Sequence, residues 1–256
     1  MKSKTKKIIT FAFVLIAVAI FGNILLYIFN KSPFNLTVIN YTKSVSAANI
    51  SDIRVMSNTG DVNIIPYDGT KVLVHMKGTS EHRWADDYQL MVEENGNQVT
   101  IEAKQLEKKH IFAIYSGGYE LQVQLPQKVF ERLQVQTKTA NINVEGIQVK
   151  QSFLEASNGN ITAGELQGII NGVTGAGDIN VQLQTIDNDI EANTKYGNIT
   201  IITQVAPEAI QTNLRSGLGK ESILLPNVKD GSIGTGGPNV KLTSEVGDLA
   251  LLMANN

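Results

Sequence analysis

A short phrase recurs along the chain of 256 residues and restricts the folds that the chain can adopt. The common form is a polar turn, Ser/Thr-x-x-Gly-Asn/Asp, followed by a strand of the form Ile/Val-x-Ile/Val, and the copy from Ala156 has Ala156 and Ala163 at two of these positions. The copies read SNTGDVNII from Ser57, ASNGNITAG from Ala156, TGAGDINVQ from Thr174 and TKYGNITII from Thr194. Glycine suits a backbone with positive φ, and the Asn or Asp after it can hydrogen bond its own backbone. The turn therefore has a structural reason without any ligand.

The turn glycines are spaced by about 18 to 22 residues in the second half of the chain. They are Gly159, Gly177 and Gly197, followed by Gly217 or Gly219 and then Gly236 or Gly237. The variant TKTANINVEG extends the series backward, with Ala140 in the glycine position. We expect a wider turn there.

Two all-β architectures fit this spacing. Successive units could be hairpins of a meander, or each unit could be one coil of a β-solenoid whose equivalent positions stack. The near-constant period favours the solenoid, because a meander does not require units of equal length. Stacking would then place Ile161, Ile179 and Ile199 inside, with Asn160, Asp178 and Asn198 at a corner.

Residues 50–130 also alternate apolar and polar residues, as half-buried strands do, but without the fixed period. They include longer loops such as GTSEHRWADDYQ at 78–89. We expect this part to cap or begin the same sheet system as the repeats at 131–256. Residues 50–256 would then form one extracytoplasmic β-solenoid-like domain.

The N-terminal region predicts a membrane anchor. Residues 8–29 are almost entirely apolar and uncharged, which matches the hydrocarbon thickness of a bilayer. Lysines crowd residues 1–7 and predict a cytoplasmic N-terminus, with a single transmembrane helix and a polar spacer at 30–49. The alternative is a cleaved signal peptide, which the long apolar run and the lack of a nearby small-x-small site disfavour.

Charge and cysteine content exclude several classes of protein. Without the lysines of residues 1–7, 18 basic residues face 24 acidic ones, which argues against a nucleic-acid surface. The chain has no cysteine, so disulfides, thiolate metal sites and a lipidated cysteine anchor are excluded.

Three clusters are candidate sites for metal or catalysis. His82 with Asp86 and Asp87 suggests a metal site, but without helical spacing a solvated loop is favoured; His75 and His110 are isolated. Asp187 and Asp189 match only the first alternating pair of oxygen ligands of a calcium-binding loop, so weak calcium binding is left open. Asp187, Asp189 and Glu191 would share one strand face as glycosidase carboxylates, but no cleft accompanies them. We therefore assign no catalytic, cofactor-binding or metal-binding residue and expect no cofactor.

Two features are candidates for binding, although a structural role is favoured for each. Trp84, the single tryptophan, is either buried against the sheet, which we favour, or an exposed binding aromatic. Glutamines recur on polar strand positions and could form a flat face that contacts glycan or another sheet, although an ordinary solvated face is favoured. They are Gln122, Gln124, Gln134, Gln136, Gln182 and Gln184. SGLGKES at 216–222 is not a phosphate loop, because Leu214 stands where that motif needs glycine.

These motifs resemble the bacterial putative-adhesin domain family of unknown function, and the anchored form resembles its LiaG-like members. The resemblance rests on ISDIRVMSNTGDVNIIPYDG (50–69), YELQVQLPQKVFERLQVQTKTANINVEG (119–146) and the Gly-Asn/Asp-Ile units; Ala140 departs from the family's usual glycine. It implies a β-solenoid-like fold and an association with cell-envelope stress response. It supplies no catalytic residue to carry over.

The sequence thus predicts a single-pass membrane protein that holds a β-solenoid outside the cytoplasm as a binding or accessory module. Its partner would be an envelope-sensing membrane protein or a cell-wall polymer, with no nucleic acid. One alternative is an adhesin-like surface module that binds cell-wall or host glycan. Another, disfavoured, is a polysaccharide-active β-helix enzyme that uses the carboxylates of 187–191.

Overall fold

The computed structural model describes residues 2–32, 34–106 and 117–254, which form one long helix, a 3₁₀ helix and two ten-stranded sheets. The helices are α1 (Lys2–Ile28) and the 3₁₀ helix His82–Asp87. The first strands are β1 (Leu36–Ser46), β2 (Asp52–Ser57), β3 (Asp61–Tyr67), β4 (Lys71–Glu81), β5 (Tyr88–Asn95), β6 (Gln98–Gln105) and β7 (Gly118–Pro126). Those of the middle are β8 (Phe130–Thr139), β9 (Ile142–Glu145), β10 (Gln148–Asn158), β11 (Ile161–Gly164), β12 (Gln167–Ala176), β13 (Ile179–Leu183), β14 (Ile190–Tyr196) and β15 (Ile199–Thr203). The last are β16 (Ile210–Leu218), β17 (Glu221–Leu224), β18 (Ser232–Ile233), β19 (Asn239–Val246) and β20 (Leu249–Met253).

The two sheets face each other as the two sides of a solenoid. Sheet A has the order β1-β4-β7-β3-β9-β11-β13-β15-β20-β17, and sheet B has the order β18-β16-β19-β14-β12-β10-β8-β2-β6-β5. From β8 to β17 the chain alternates between the sheets, and the strands of successive coils are parallel. A meander would make them antiparallel, so the prediction of an all-β solenoid is confirmed.

Stacked apolar side chains fill the space between the sheets. Ile161, Ile179 and Ile199 are paired in register on adjacent strands of sheet A and are at most 1% exposed, as the period predicts. Ile142 and Leu249 continue the row on either side. Because a single coil cannot bury its inner face, each coil depends on its neighbours for the burial that stabilises it.

The turn glycines stack in a column that no side chain could enter. Gly177 has φ 150°, and a Cβ there would lie 2.1 Å from the carbonyl oxygen of Gly159 in the next coil. Gly219 and Gly247 occupy the same column, since a Cβ on Gly219 would lie 2.1 Å from the Gly247 oxygen. The expectation that Gly236 or Gly237 continues the series of turn glycines is therefore wrong, and Gly247 has that place.

Ala140 fills the glycine position of its coil without positive φ. Its carbonyl accepts a hydrogen bond from the Thr137 hydroxyl at 2.9 Å, and Thr139 N donates to Asn58 O of the adjoining coil at 3.0 Å. A Cβ is accepted here because φ is not positive, and the adjoining Gly60-Asp61 turn also lacks the positive φ of Gly159, Gly177 and Gly197.

The order of coils in space differs from their order in the chain at both ends. Strands β19 and β20 insert between β14/β15 and β16/β17, so the coil β16/β17 is outermost although the chain continues beyond it. At the other end, β2 and β3 lie between β8/β9 and β6/β7. Residues of 50–130 and of 131–256 therefore share both sheets.

Residues 30–49 need a correction, because a spacer was expected there and the structure has a strand. Leu36–Ser46 form β1, which pairs antiparallel with β4 at the edge of sheet A. Ile39 is buried and Val45 packs on the core, whereas most other side chains of β1 are exposed. An edge strand with one neighbour needs few apolar residues, which is why its alternation is weak in the sequence.

Helix α1 stands apart from the solenoid core. Its segment Lys4–Ile28 has a mean hydropathy of 2.7 with none of that apolar window buried, and it is long enough to cross a membrane. Length and composition alone fit either a membrane anchor or a signal sequence.

A methyl group added to a glycine of this column is expected to destabilise the fold strongly, and a methyl group added outside the column is not. Gly177→Ala should lower the free energy of unfolding by about 3 kcal/mol or more, because the Cβ meets a backbone oxygen and φ is unfavourable. The check is the midpoint of urea unfolding.

Gly172→Ala is the matched control. Gly172 lies in the same coil, and its Cβ would be 3.6 Å from the Ile179 side chain, an ordinary contact. That variant should unfold within about 1 kcal/mol of the parent. Equal destabilisation by the two substitutions would contradict the stacked-turn account.

Candidate binding surface

One corner of the solenoid is a ladder of Asn and Asp side chains. The Asn160 Oδ1 accepts a hydrogen bond from Asp178 N at 2.8 Å, and the Asp178 Oδ1 accepts one from Asn198 N at 2.7 Å. The same bond recurs in four further pairs: Asn141 N donates to Asp61 Oδ1, Asn160 N to Asn141 Oδ1, Asp248 N to Asn198 Oδ1 and Lys220 N to Asp248 Oδ1. The predicted corner stack is confirmed, but each side chain bonds the next coil and not its own backbone.

A second ladder of hydroxyls lies behind the glycine column. Thr174 donates to Gly159 O at 2.9 Å, Thr194 donates to Gly177 O at 3.0 Å, and Ser244 donates to Gly197 O at 3.0 Å. These hydroxyls are nearly inaccessible, so the turn carbonyls beside them have their partners inside the protein. The Ser/Thr three residues before glycine is visible in the sequence, although this role was not predicted from it.

The outer side of sheet A carries a row of uncharged hydrogen-bonding side chains, which we name the amide face. It consists of Gln122, Asn63, Asn143, Thr162, Asn180 and Thr200. Neighbours in the row are separated by the strand spacing of about 4.8 Å. Because the row lies on parallel strands in register, it forms a straight array of amide and hydroxyl groups.

A second row on the same face of sheet A, two residues further along each strand, keeps the middle of this surface flat. Gly164 lies between Glu145 and Gln182, and a Cβ on Gly164 would fall 2.0 Å from a Glu145 carboxylate oxygen, so the Glu145 side chain lies across the glycine. Toward the β17 end the same row becomes apolar, with Ile202, Leu252 and Leu224. The amide face is thus limited to the central coils.

The predicted glutamine face is split in two. Gln122, Gln124 and Gln182 lie on outer sheet A, whereas Gln134 and Gln136 lie on outer sheet B. Gln184 lies just beyond the end of β13. Only the first three can contribute to a surface around the amide face.

The carboxylates of 187–191 do not meet at one site. Asp187 accepts a hydrogen bond from Thr185 and lines a cavity of about 250 Å³ with Glu165. The Asp189 Oδ1 accepts a hydrogen bond from Asn239 N at 2.7 Å, which ties β14 to β19. These two carboxylates therefore serve local structure.

Glu191 lies on outer sheet B and pairs with Lys241 of the adjacent strand at 2.8 Å. The hydrogen bond from the Lys241 ammonium lowers the pKa of the Glu191 carboxyl below its ordinary value, against a small opposing effect of burial. A group held ionised in this way is unsuited to be the general acid of glycoside cleavage.

The histidine cluster does not assemble into a metal site. His82 and Asp86 are exposed on the 3₁₀ helix, whereas Asp87 is buried. Within residues 2–32, 34–106 and 117–254, no group of three or more His, Cys, Asp or Glu is placed to hold a metal ion. His75 lies 3.2 Å from the Thr42 hydroxyl, and His110 falls outside the described residues.

Trp84 is half-buried, between the two alternatives that the sequence left open. The Arg83 guanidinium lies 4.2 Å from its ring centroid and also pairs with the fully buried Glu81 at 2.8 Å. The indole is therefore held in place by a cation–π contact while part of its ring stays accessible.

The fold and its surfaces define an extended, two-sheeted β-solenoid behind an apolar helix, with stacked corner ladders and no convergent set of reactive groups in the described residues. The profile of the Toastrack DUF4097 family matches residues 50–174 and again residues 122–252, so the chain belongs to that family. This confirms the resemblance to the adhesin-like domains of unknown function.

Two solved structures that are similar to this chain are those of a putative cell adhesion protein and a putative adhesin. A putative cell adhesion protein from Clostridium sporogenes is 13% identical, covers 85% of this chain and 100% of its own, and has a TM-score of 0.51. A putative adhesin from Bacteroides fragilis is 10% identical, covers 83% and 97%, and has a TM-score of 0.46. No curated protein matches the chain. At this identity the first likeness shows the fold alone.

The corner ladder predicts that Asp178 acts as an acceptor and not as a charge. Asp178→Ala should lower the free energy of unfolding by about 1 kcal/mol, because Asn198 N loses its partner. Asp178→Asn keeps the acceptor and should be close to neutral. Urea unfolding of both variants checks this, and a destabilised Asp178→Asn protein would contradict it.

The Glu191–Lys241 pair predicts a titration that depends on one lysine. The pKa of Glu191 is lower in the folded protein than in the unfolded chain. The ionised carboxylate therefore stabilises the fold at pH values above the unfolded-state pKa, and this stabilisation is lost as the pH falls through the folded-state pKa. Lys241→Gln should bring this pKa back toward that of a free carboxyl, as followed by carbon NMR of labelled glutamates.

The control is Lys150→Gln, which removes the partner of Glu131 instead and should leave the Glu191 titration unchanged. A Glu191 titration that does not respond to Lys241→Gln would show that the pair is not formed in solution.

Proposed function

We propose that the protein is a membrane-anchored binding module that presents its amide face to an uncharged, hydroxyl-rich polymer of the cell envelope. The observation that carries the proposal is the straight array of amides and hydroxyls on sheet A. Amides donate and accept hydrogen bonds, as glycan hydroxyls do, and parallel strands hold them at a fixed repeat. A flat row whose own side chains are uncharged suits an extended neutral glycan, and the Glu120 and Glu145 carboxylates beside it disfavour an anionic ligand.

Retention of α1 as an anchor is part of this proposal. Asn35 Nδ2 donates to Tyr27 O at 3.1 Å, and the Ser32 hydroxyl donates to Asn23 Oδ1 at 3.2 Å. The chain after α1 thus folds back onto the helix and continues directly into β1. A segment removed by signal cleavage would have no need of such a junction, and the lysines of residues 1–7 favour an N-terminus in the cytoplasm.

Catalysis is the weaker alternative on the same geometry. Asp189 and Glu191 are engaged by Asn239 and Lys241, and Asp187 faces a different surface from Glu191. The proposal therefore places the protein among binding proteins and not among glycoside hydrolases.

A second candidate is an accessory subunit of an envelope-sensing system, such as a stress-response complex. It is favoured by an exposed apolar row beside the glycine column, where Tyr196, Val246 and Leu218 are paired in register. Tyr196 is 60% exposed and Leu218 is 71% exposed. Contiguous exposed apolar side chains of this kind are typical of surfaces that contact another protein.

The test of the glycan proposal is co-sedimentation of the detergent-solubilised full chain with isolated cell-wall sacculi. The parent should bind, and Thr162→Ala/Asn180→Ala should bind at least about tenfold more weakly, because two neighbouring hydrogen-bonding groups are lost. The matched control is Thr243→Ala/Asn193→Ala, an equivalent Thr and Asn pair on adjacent strands of outer sheet B. That control should bind as the parent does.

Other outcomes would contradict the proposal in distinguishable ways. Equal loss in both double variants would show that the amide face is not the contact. No binding of the parent, with one membrane protein recovered by cross-linking and lost in Tyr196→Ser/Leu218→Ser, would instead support the accessory subunit. Release of soluble sugar that is lost in Asp189→Asn would identify an enzyme.

A further inference from the structure

The junction between α1 and the solenoid fixes which part of the domain faces the membrane. Asn35 lies beside the last turn of the helix, because its Nδ2 donates to Tyr27 O at 3.1 Å and also contacts Asn30 Oδ1 at 3.3 Å. Ser32 and Asn35 are both buried in this junction. Asn35 is therefore at the same depth as Tyr27, where an anchor of this length leaves the hydrocarbon of the bilayer.

The 3₁₀ helix that contains Trp84 is attached to the same point. His82 N donates to Asn35 O at 2.7 Å, so the 3₁₀ helix begins next to the end of α1. Trp84 follows two residues later. A half-buried indole at this depth lies where tryptophan is enriched in membrane proteins, at the level of the lipid headgroups.

Exposed apolar side chains lie next to this point, on the segment that leads from α1 into β1. Phe34 is 58% exposed, Leu36 is 54% exposed and Val38 is 74% exposed. Leu36 and Val38 lie on the same side of β1, two residues apart, at the edge of sheet A. Together with Trp84 these residues form what we name the interfacial cap: Phe34, Leu36, Val38 and Trp84.

The charges near the interfacial cap are close to balanced. Lys31 and Arg83 are the cations, Glu81 pairs with Arg83 at 2.8 Å, and Asp86 and His82 are exposed on the 3₁₀ helix. The surface therefore has no excess of positive charge that would select anionic lipid. Its attraction to a membrane would come from apolar and aromatic side chains.

We propose that the interfacial cap lies in the headgroup region of the outer leaflet and docks the first coils of the solenoid on the phospholipid surface. This inference rests on the proposed function, because it requires α1 to remain in the membrane. Lipid is the expected occupant because Asn35 holds the interfacial cap at the depth of Tyr27. Once α1 is inserted in the membrane, the cap therefore lies next to lipid. Asn35 is the positioning residue.

The test uses the full chain in phosphatidylcholine vesicles, with Trp84 as the only tryptophan of the protein. Phosphatidylcholine brominated on its acyl chains should quench Trp84 emission, and replacing part of the lipid with phosphatidylglycerol should not change the quenching. Leu36→Asp/Val38→Asp should reduce the quenching at least about twofold, because the charged side chains move the cap toward water. Asn35→Ala should reduce it as well while α1 stays inserted.

Leu218→Asp is the control, since Leu218 is equally exposed but lies on β16, at the opposite end of sheet B from β5. It should leave the quenching unchanged. Carbonate extraction of the same vesicles reports separately whether α1 is inserted, and far-UV circular dichroism confirms that each variant is folded.

These measurements separate the two proposals. Release of the protein by carbonate would overturn the anchor and with it the proposed function. Retention in the membrane without quenching of Trp84 would overturn the docking of the cap alone. Quenching that needs phosphatidylglycerol would overturn the apolar origin of the docking, and emission that depends on protein concentration instead of on brominated lipid would identify a second copy as the occupant.

Discussion

The close stacking of backbone turns is the constraint on which the rest of this structure depends. Parallel strands in adjacent coils are about 4.8 Å apart, and the corner must turn within that spacing. At Gly177 and Gly197 this brings the position of a Cβ to within 2.1 Å of a carbonyl oxygen of the neighbouring coil, which only glycine allows. The Asn and Asp side chains at the same corner then bond the next coil, so that one short phrase supplies both the turn and the connection between turns.

A stack of this kind has two open ends, and the chain closes them by changing the order of its coils. At one end, β1 and β4 extend sheet A with antiparallel pairing while β5 extends sheet B. At the other end, β16/β17 lie outside β19/β20, and the short strand β18 covers β16. The last coil of the chain is thereby held between two others. Its strands are paired on both sides, which keeps the C-terminal apolar segment from being an exposed edge.

The sequence indicates the interior of this fold more fully than its ends. The Ile row and the Asn/Asp corner were predictable because the solenoid repeats the same contact in every coil. The alternation of residues does not reveal β1, since an edge strand with one buried face has little of it. Spacing alone points to Gly236 or Gly237, because it does not reveal that a coil is inserted out of order. The sequence also does not reveal that the glutamines are divided between the two sheets, because an alternating pattern does not say to which sheet a strand belongs.

The candidate surfaces follow from what the repeat leaves unused. Asp61, Asp178 and Asp248 each accept a hydrogen bond from a backbone N–H of the adjacent coil, and the hydroxyls of Thr174 and Thr194 donate to turn carbonyls, so these polar groups already have partners inside the fold. What remains is the central part of the outward row of sheet A, beyond the bond at 2.6 Å from the Asn63 amide to Glu120 of the adjacent strand. The residues around Asn35 and Trp84 belong to no repeat at all. In a solenoid, function is therefore to be sought in the positions that stacking does not explain, and both proposed contacts lie at such positions.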